Sequence, residues 1–436
     1  MGIFRASVLP ADPRGWPVPT AATVSPATYI DRHSADLIRR LRHLVGISTV
    51  NPPGENYAPI TAWLTRELAA LGLKSQRLTL PAALLKATLP PEQHRFPRYN
   101  VLGKLAAPGA KKTLHFNAHY DVVPVSGQWK HGNPFSGAIE GGWIYGRGTS
   151  DMKGSIASLL LALQALRAAG VKPRLNLEVS FTADEETDSV LGTGWLVEHA
   201  PIAPDFAVVM EGGELNQVCC GHNGCVWLEV TVHGRAAHGS RPDLGVNALE
   251  KMAALVRELE GYQRRLGRCR WRTPNGRIAS PTLNVGGVFG CGDGAKINTV
   301  PATATFTLDR RVLAIESHAG AERDLRSFLA AAARKIPHCR ISVAKVSENY
   351  SCFTPPTHPF FTSMAACVTR VRGQPAEFNV STGFNDMHFF ASVRKIPTLG
   401  YGPGGRKEHA VDEAAKISEL LASAKIYAEL MTTFAG

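Results

Sequence analysis

Hydrophobic and polar positions along the chain change their period several times, and each period predicts a different element. Residues 59–71 repeat apolar side chains at the spacing of a helix. The segment 113–125, TLHFNAHYDVVPV, lacks this helical spacing, and we interpret it as a buried strand leading into a loop. Residues 152–170 return to the helical period and end on Gly170, a residue favoured just after a helix.

Two further apolar runs end in acidic residues. They are LNLEVSFTADEE and FAVVMEGGE, and both follow the predicted helix 152–170. Strands that alternate with helices predict an α/β fold, a mostly parallel sheet with helices on both faces. In such a sheet, ligands bind outside the carboxyl ends of the strands. We therefore expect the functional site at those ends.

The pattern changes near residue 226. From there VWLEVTVHGRAAHGS alternates as an antiparallel strand does, and the following segments predict the order β-α-β-β-α-β. This order is typical of a small α+β sandwich of two layers, which we place at 226–348. The sandwich is predicted to be an insertion in a larger domain formed by 1–225 and 349–436. Prolines spaced through the first thirty residues predict an extended arm over 1–30.

Length and composition agree with a globular protein of two domains. The chain has 436 residues, of which 44% are hydrophobic and 19% are charged. Its apolar runs are shorter than the ~20 residues that span a bilayer, and its N-terminus lacks the apolar stretch of a secretory signal. Eight cysteines show no C-x-x-C spacing, so we interpret them as reduced thiols and find no zinc ribbon. We expect a cytoplasmic protein without a membrane partner.

The net charge is +12, because 48 Lys and Arg outnumber 36 Asp and Glu. The densest basic stretch is 264–277, which contains six arginines and no acid. Such a stretch can bind nucleic acid, but no nucleic-acid-binding motif accompanies it. We interpret it as a solvated surface, or as a local field that attracts anionic substrates.

Side chains that bind metals follow the predicted strands. His119 and Asp121 end the first strand, and residues two apart on an extended backbone project to the same side. The other candidates lie at the start of the predicted helix 152–170, at the ends of the next two strands, and after a Gly-Pro-rich loop: Asp151, Glu185, Glu186, Glu211 and His409. Imidazole and carboxylate groups suit a borderline divalent ion such as zinc, and a pair of ions needs a bridging carboxylate. The set predicts two ions and leaves one Glu for proton transfer.

The motifs HYDVVP, GRGTSDMKG, TADEET, GRAAHGSRP and GYGPGG…EHAVDE occur in this order. Together they resemble the metallopeptidase-like group that includes acetylornithine deacetylase, succinyl-diaminopimelate desuccinylase, aminoacylase-1 and the glutamate carboxypeptidases. The resemblance covers roughly residues 35–430. It implies that His119 and Glu211 hold one zinc, that Glu186 and His409 hold the other, and that Asp151 bridges them. Cobalt or manganese could replace zinc.

The same resemblance implies a mechanism. Glu185 would be the general base for a water shared by the two ions, and Asp121 would orient His119. The hydroxide formed between the ions would attack the carbonyl of an amide.

The resemblance also assigns residues of the inserted domain, which would be a lid and a dimerisation domain. His238 would stabilise the oxyanion across a homodimer. Asn298 would contact the substrate, and Arg311 would bind a substrate carboxylate. Arg310 adjoins Arg311, and as strand neighbours only one of the two should face the site.

The substrate stays open at this point. A small carboxylate-bearing amide such as an N-acyl amino acid is the leading hypothesis. A dipeptidase or carboxypeptidase, or a hydrolytic deaminase of a small acid, would use the same metals and base. The non-enzymatic alternatives are a catalytically silent homologue and a nucleic-acid-binding protein. The chain keeps the ligand positions and Glu185, which argues against a catalytically silent protein.

Overall fold

The computed structural model describes residues 24–292 and 295–436. The predicted arm 1–30 lies mostly outside this part, and the prediction is wrong for its last residues, because a helix begins at Pro26, a residue favoured in the first turn of a helix. The α-helices are α1 (Pro26–Arg32), α2 (Ser34–Gly46), α3 (Tyr57–Ala70), α4 (Ala82–Thr88), α5 (Lys153–Ala169), α6 (Trp195–His199), α7 (Ala248–Leu266), α8 (His318–Lys335), α9 (Pro359–Arg372) and α10 (Ile417–Thr433).

The strands of the described residues follow in chain order. They are β1 (Lys74–Thr79), β2 (Tyr99–Leu105), β3 (Thr113–His119), β4 (Ala138–Glu140), β5 (Trp143–Tyr145), β6 (Asn176–Thr182), β7 (Phe206–Val209), β8 (Gln217–His222), β9 (Gly224–His233), β10 (Ala237–His238), β11 (Trp271–Arg272), β12 (Ile278–Ala279), β13 (Thr282–Cys291), β14 (Thr299–Val300), β15 (Thr303–Val312), β16 (Arg340–Asn349), β17 (Cys352–Phe353), β18 (Glu377–Ser381), β19 (Thr398–Gly400), β20 (Gly405–Arg406) and β21 (Ala414–Lys416).

The chain divides into two compact units. Among the described residues, the larger comprises 24–220, 354–378 and 389–436, and the smaller comprises 221–292, 295–353 and 379–388. The span 226–348, predicted for the inserted domain, lies within the smaller unit. That unit also takes in 379–388, which the sequence prediction assigned to the larger domain. Here the backbone N–H of Asn223 donates to the carbonyl of Ser381, a contact that no local pattern signals.

The larger unit is built on a mixed sheet in the order β1-β2-β6-β3-β7-β19-β8. Its central strands β6, β3, β7 and β19 are parallel, whereas β1, β2 and β8 pair antiparallel. The parallel part is therefore narrower than the sequence suggested. Helix α5 packs against α2 and α10 and is buried along almost its whole length, and its C-cap Gly170 takes the left-handed φ of +64°.

The central strands bring their carboxyl ends together. His119 at the end of β3 pairs in register with Thr182 at the end of β6, and Asn117 of β3 pairs with Val209 at the end of β7. The segments that leave β6 and β7 therefore start side by side with the segment that leaves β3. A second small sheet, β20-β21-β5-β4, belongs to the same unit.

The smaller unit is an antiparallel sheet in the order β13-β15-β9-β16 with α7 and α8 on one face. The predicted β-α-β-β-α-β order is confirmed, with short hairpin strands added between its elements. Alternate residues of β9, among them Val226, Leu228, Val230 and Val232, face the helices and are buried. Asn247 begins α7 by accepting hydrogen bonds from the N–H groups of the first turn.

Within the described part of the chain, no helix combines the length and the apolar character needed to cross a bilayer.

Candidate metal centre

His119 presents one ring nitrogen to the centre and anchors the other. It is almost fully buried at the end of β3. Its Nδ1 lies 3.1 Å from the backbone carbonyl oxygen of Asp121, and its Nε2 lies 2.9 Å from Oδ1 of Asp151. A hydrogen bond at Nδ1 fixes the ring and leaves Nε2 as the nitrogen available to a metal.

Asp151 lies between two imidazoles. Its Oδ1 faces Nε2 of His119, and its Oδ2 is 3.1 Å from Nε2 of His409. The two oxygens of one carboxylate thus point to two different ligands, which is the arrangement of a bridge. The preceding loop can pass close to the core because Gly148 has a φ of +85°, and a Cβ there would lie 2.6 Å from Val122 Cγ1.

Two groups of side chains could each hold a metal ion, and they share Asp151. The first is His119, Asp151 and Glu211, and the second is Asp151, Glu186 and His409. Within each group the donor atoms lie within 4.8 Å of one another. A mixed set of imidazole nitrogens and carboxylate oxygens fits zinc or a similar divalent ion. The residues that are present therefore fit a pair of ions with a shared carboxylate.

Negative charge is concentrated in this centre. Burial disfavours the imidazolium form of His119, but Asp121 and Asp151 raise its pKa well above the ordinary value. Hydrogen bonds with Asp151 and Glu186 raise the pKa of His409 to about 10. Burial acts against ionisation of Asp151, yet both histidines hold its pKa far below the usual range. Sites that stabilise cationic imidazoles in this way also favour divalent cations, which compete with protons for the same atoms.

The acidic pair Glu185–Glu186 is held from behind by Asp121. The backbone N–H groups of Glu185 and Glu186 each donate to the Asp121 carboxylate over 3.2 Å, and Asn51 Nδ2 donates to it over 3.1 Å. Nδ1 of His119 is 3.5 Å from the Asp121 carboxylate and only 3.1 Å from the backbone carbonyl oxygen of Asp121. Asp121 thus positions the acidic pair as well as the histidine, whereas the sequence predicted only its contact with the histidine.

Glu413 shapes the loop that carries Asp151, and it is not among the residues predicted from the sequence. Its buried carboxylate accepts hydrogen bonds from Nη1 of Arg147 and from the backbone N–H groups of Gly148, Ser150 and Asp151, over 2.7 to 3.1 Å. Burial raises the pKa of Glu413, and those N–H groups oppose the rise. The signal was present in the motif EHAVDE, but a carboxylate four residues after His409 has no feature that separates it from a surface acid.

A second buried network supports the turn before the acidic pair. Asp184 has a left-handed φ of +59° and accepts hydrogen bonds from Nε of Arg98, the hydroxyl of Tyr57 and Nδ2 of Asn51. Burial raises the pKa of Asp184 to about 6, although Arg98 opposes the rise. These partners come from the first hundred residues and lie far from Asp184 in the chain, so no local pattern indicates them.

A cavity of about 550 Å³ adjoins the candidate metal centre within the larger unit. Asp151 and Glu211 form part of its wall, and glycines at 212, 213, 404 and 405 leave room in it. Arg372 is the basic residue of the lining. A volume of this order accommodates a small molecule.

The remaining predicted residues belong to the smaller unit. His238 lies in β10, which pairs with β14, and the N–H of Gly239 donates to the carbonyl of Asn298 over 2.7 Å. His238 and Asn298 therefore form one exposed corner of that unit.

The two neighbouring arginines of β15 face opposite sides of their sheet. Arg310 is buried and its guanidinium is 2.8 Å from Glu316, whereas Arg311 is partly exposed and lies 2.9 Å from Asp309. Arg311 is the one of the pair with surface available to a ligand.

The family model described as Peptidase family M20/M25/M40 matches residues 115–433, most of the chain. The chain belongs to this family. Among the curated proteins, the succinyl-diaminopimelate desuccinylase of Acidiphilium cryptum (strain JF-5) is 28% identical over 409 residues, 91% of this chain and 98% of that protein. The acetylornithine deacetylase of Vibrio atlanticus (strain LGP32) is 31% identical over 329 residues, 74% of this chain and 80% of that protein.

Solved structures share the fold of this M20 chain. The aminopeptidase PepT from Bacillus cereus aligns with a TM-score of 0.70 and 20% identity, over 92% of this chain and 98% of that one. The YXEP protein from Bacillus subtilis, described as a dinuclear metal binding peptidase from this family, aligns with a TM-score of 0.67 and 14% identity over the same shares. Membership of the family identifies the chain as a metal-dependent hydrolase of C–N bonds, and the predicted resemblance is confirmed.

Proposed function

We propose that this M20 hydrolase removes the acyl group from an N-acyl amino acid or a related small acid, with two zinc ions bound by the five ligands named above. The observation that carries the proposal is the pair of ligand groups that share Asp151. The two curated relatives support the choice of substrate, since a desuccinylase and a deacetylase by name both remove an acyl group.

Each ligand would have one role in the proposal. His119 and Glu211 would hold one ion, Glu186 and His409 would hold the other, and Asp151 would bridge. When bound, the ions would polarise the scissile carbonyl and lower the pKa of a water molecule.

Glu185 would be the proton carrier. Its backbone N–H donates to the Asp121 carboxylate, and it directly precedes Glu186 of the second ligand group, so the chain brings it to the edge of the centre. A carboxylate at this place can accept a proton from water and later return it to the leaving nitrogen. Asp121 would keep the acidic pair and His119 in position through the contacts described above.

The smaller unit would supply recognition. Arg311 would bind the carboxylate of the substrate with its planar guanidinium, and Asn298 would contact the substrate nearby. His238 would donate a hydrogen bond to the oxyanion that develops during the reaction, from one protomer of a homodimer to the other. The cytoplasmic location remains a prediction from the sequence.

A substrate screen tests the proposal. Purified protein would be stripped with a chelator, reloaded with zinc, cobalt or manganese, and offered N-acetyl and N-succinyl amino acids, dipeptides and amine-bearing acids. We expect hydrolysis of the N-acyl compounds, two metal ions per chain by elemental analysis, and no turnover after stripping. Full activity in metal-free protein, or turnover of dipeptides alone, would reject it.

A further inference from the structure

A second cavity, unrelated to the ligand set, lies in the smaller unit. Its volume is about 210 Å³, and its lining consists of His233, Gly234, Arg235, Val246, His338 and Arg340. Each of the four ionisable side chains among them is basic, and the lining contains no carboxylate. A concave site with two guanidinium groups and two imidazoles has the charge of an anion receptor.

The sheet places two of these side chains next to each other. His233 of β9 and Arg340 of β16 are directly paired across the two antiparallel strands. Their neighbours Val232 and Ile341 belong to the core under α7 and α8, so His233 and Arg340 project from the opposite face. Nε2 of His233 lies 2.8 Å from the hydroxyl of Ser342, which holds the ring on that face.

Arg235 is fixed at the edge of the same cavity. Its backbone pairs with Val246 through two hydrogen bonds of 2.9 Å, and its Nε donates to the carbonyl of Leu244 over 3.0 Å. In the described part of the chain, the terminal amino groups of this guanidinium have no hydrogen-bond or ion-pair partner, and the same holds for the guanidinium of Arg340. Two arginines that share a cavity without an acid repel each other, and a bound anion would relieve the repulsion.

We propose that this cavity binds a multiply charged oxyanion of the phosphate class. The planar donors of two guanidinium groups match the oxygens of phosphate in a fork geometry, and histidine adds donors in the same space. Arginine cannot coordinate a metal ion, so the site is not a third metal site. The inference does not depend on the proposed function, since none of these residues is in the metal-ligand set.

The site would link the anion to the segment that carries His238. Arg235 and Val246 close the base of the loop 236–245 by their paired backbone hydrogen bonds, and His238 lies within that loop. An anion held between Arg235 and Arg340 would join this base to β16. Bound phosphate should therefore slow backbone exchange in 233–246 and in the first residues of β16.

Calorimetric titration of the full-length holoenzyme with inorganic phosphate and with pyrophosphate tests the proposal, at an ionic strength fixed with potassium chloride. We expect Arg340→Gln and Arg235→Gln each to weaken binding by about tenfold or more, because each removes charge-assisted hydrogen bonds. Arg340→Lys should keep part of the affinity, since it keeps the charge and loses the fork. The matched control is Arg334→Gln, an exposed arginine of α8 outside the lining, which should bind as the wild type does.

Phosphate can also bind to metal ions, so hydrogen exchange must locate the site. Protection at 233–246 that disappears in Arg340→Gln supports the proposal. The proposal is overturned if the wild type, Arg235→Gln and Arg340→Gln bind phosphate with equal affinity, or if protection is confined to the loops of the metal centre. Succinate at the same ionic strength should bind more weakly, and equal binding of this dicarboxylate would reject the phosphate class.

Discussion

Glu185 and Glu186 are neighbours in the chain, yet their carboxylates have different surroundings. Oε2 of Glu186 lies 3.1 Å from Nε2 of His409, and burial raises its pKa while that histidine opposes the rise. Among the described residues, Glu186 is in a ligand group and Glu185 is in neither. The difference supports the proposal that Glu186 binds a metal ion and that Glu185 transfers the proton.

Substitution by glutamine separates the two roles, because it keeps the shape and removes the charge. Glu185→Gln should retain both ions and lower kcat by about 10²-fold or more, since general-base help is typically of that size. Glu186→Gln should instead lose one ion. Elemental analysis beside steady-state kinetics measures both effects. Loss of a metal in Glu185→Gln together with full occupancy in Glu186→Gln would reverse the assignment.

The sequence indicates the candidate ligands at the ends of strands. It does not indicate the residues that hold those ligands in place by hydrogen bonds. His119, Asp151 and Glu211 could be found because a strand or a glycine-rich turn precedes each of them. Glu413 and Asn51 could not, because they contact the centre only through the tertiary fold, over separations of 262 and 70 residues. A buried carboxylate that accepts several N–H groups has the same sequence signature as a surface acid.

At the scale of the element, β8 ends in a buried histidine that meets another from a distant segment. The rings of His222 and His388 are 5.7 Å apart at 90° in the smaller unit. Burial lowers the pKa of His222 to about 4, and burial together with His222 lowers the pKa of His388 to about 3. Periodicity predicted the strands of this unit, but not that 379–388 would return to it, because that contact is between segments far apart in the chain.

The histidine pair makes the smaller unit sensitive to acid. In the unfolded chain a histidine titrates near pH ~6.5, above its folded pKa here, so the unfolded state binds more protons as the pH falls below ~6.5. The contribution of the pair to the free energy of unfolding is therefore complete above pH ~6.5. It is lost as the pH falls towards ~4, by up to about 1.4 kcal/mol per pH unit for each histidine. His388→Gln should reduce this slope.

Hydrogen exchange of the β9 amides at several pH values measures the stability of the smaller unit separately from the metal centre. The matched control is His338→Gln, because His338 is an exposed histidine of the same unit. An equal slope in His388→Gln and in the wild type would show that the pair does not contribute.

At the scale of the whole molecule, the open feature is the homodimer in which His238 of one protomer would act in the active site of the other. The homodimer and the role of His238 across it were inferred from the resemblance to the family and not from spacing. His238 is exposed in the smaller unit, with Nδ1 2.8 Å from the hydroxyl of Ser240. That contact leaves Nε2 as the ring nitrogen that could reach a substrate in a partner protomer.

Mixed dimers test this role. His238→Ala and Glu185→Gln should each be nearly inactive alone, because one lacks the oxyanion donor and the other lacks the base. If each active site combines Glu185 of one protomer with the histidine of the other, a heterodimer has one site with both groups intact. Random mixing by unfolding and refolding makes about half of the dimers hetero, so activity should recover to about a quarter of the wild type. No recovery in proven heterodimers, or a monomer in solution, would leave His238 to act within its own chain, and the activity of the two variants would then stay low in every mixture.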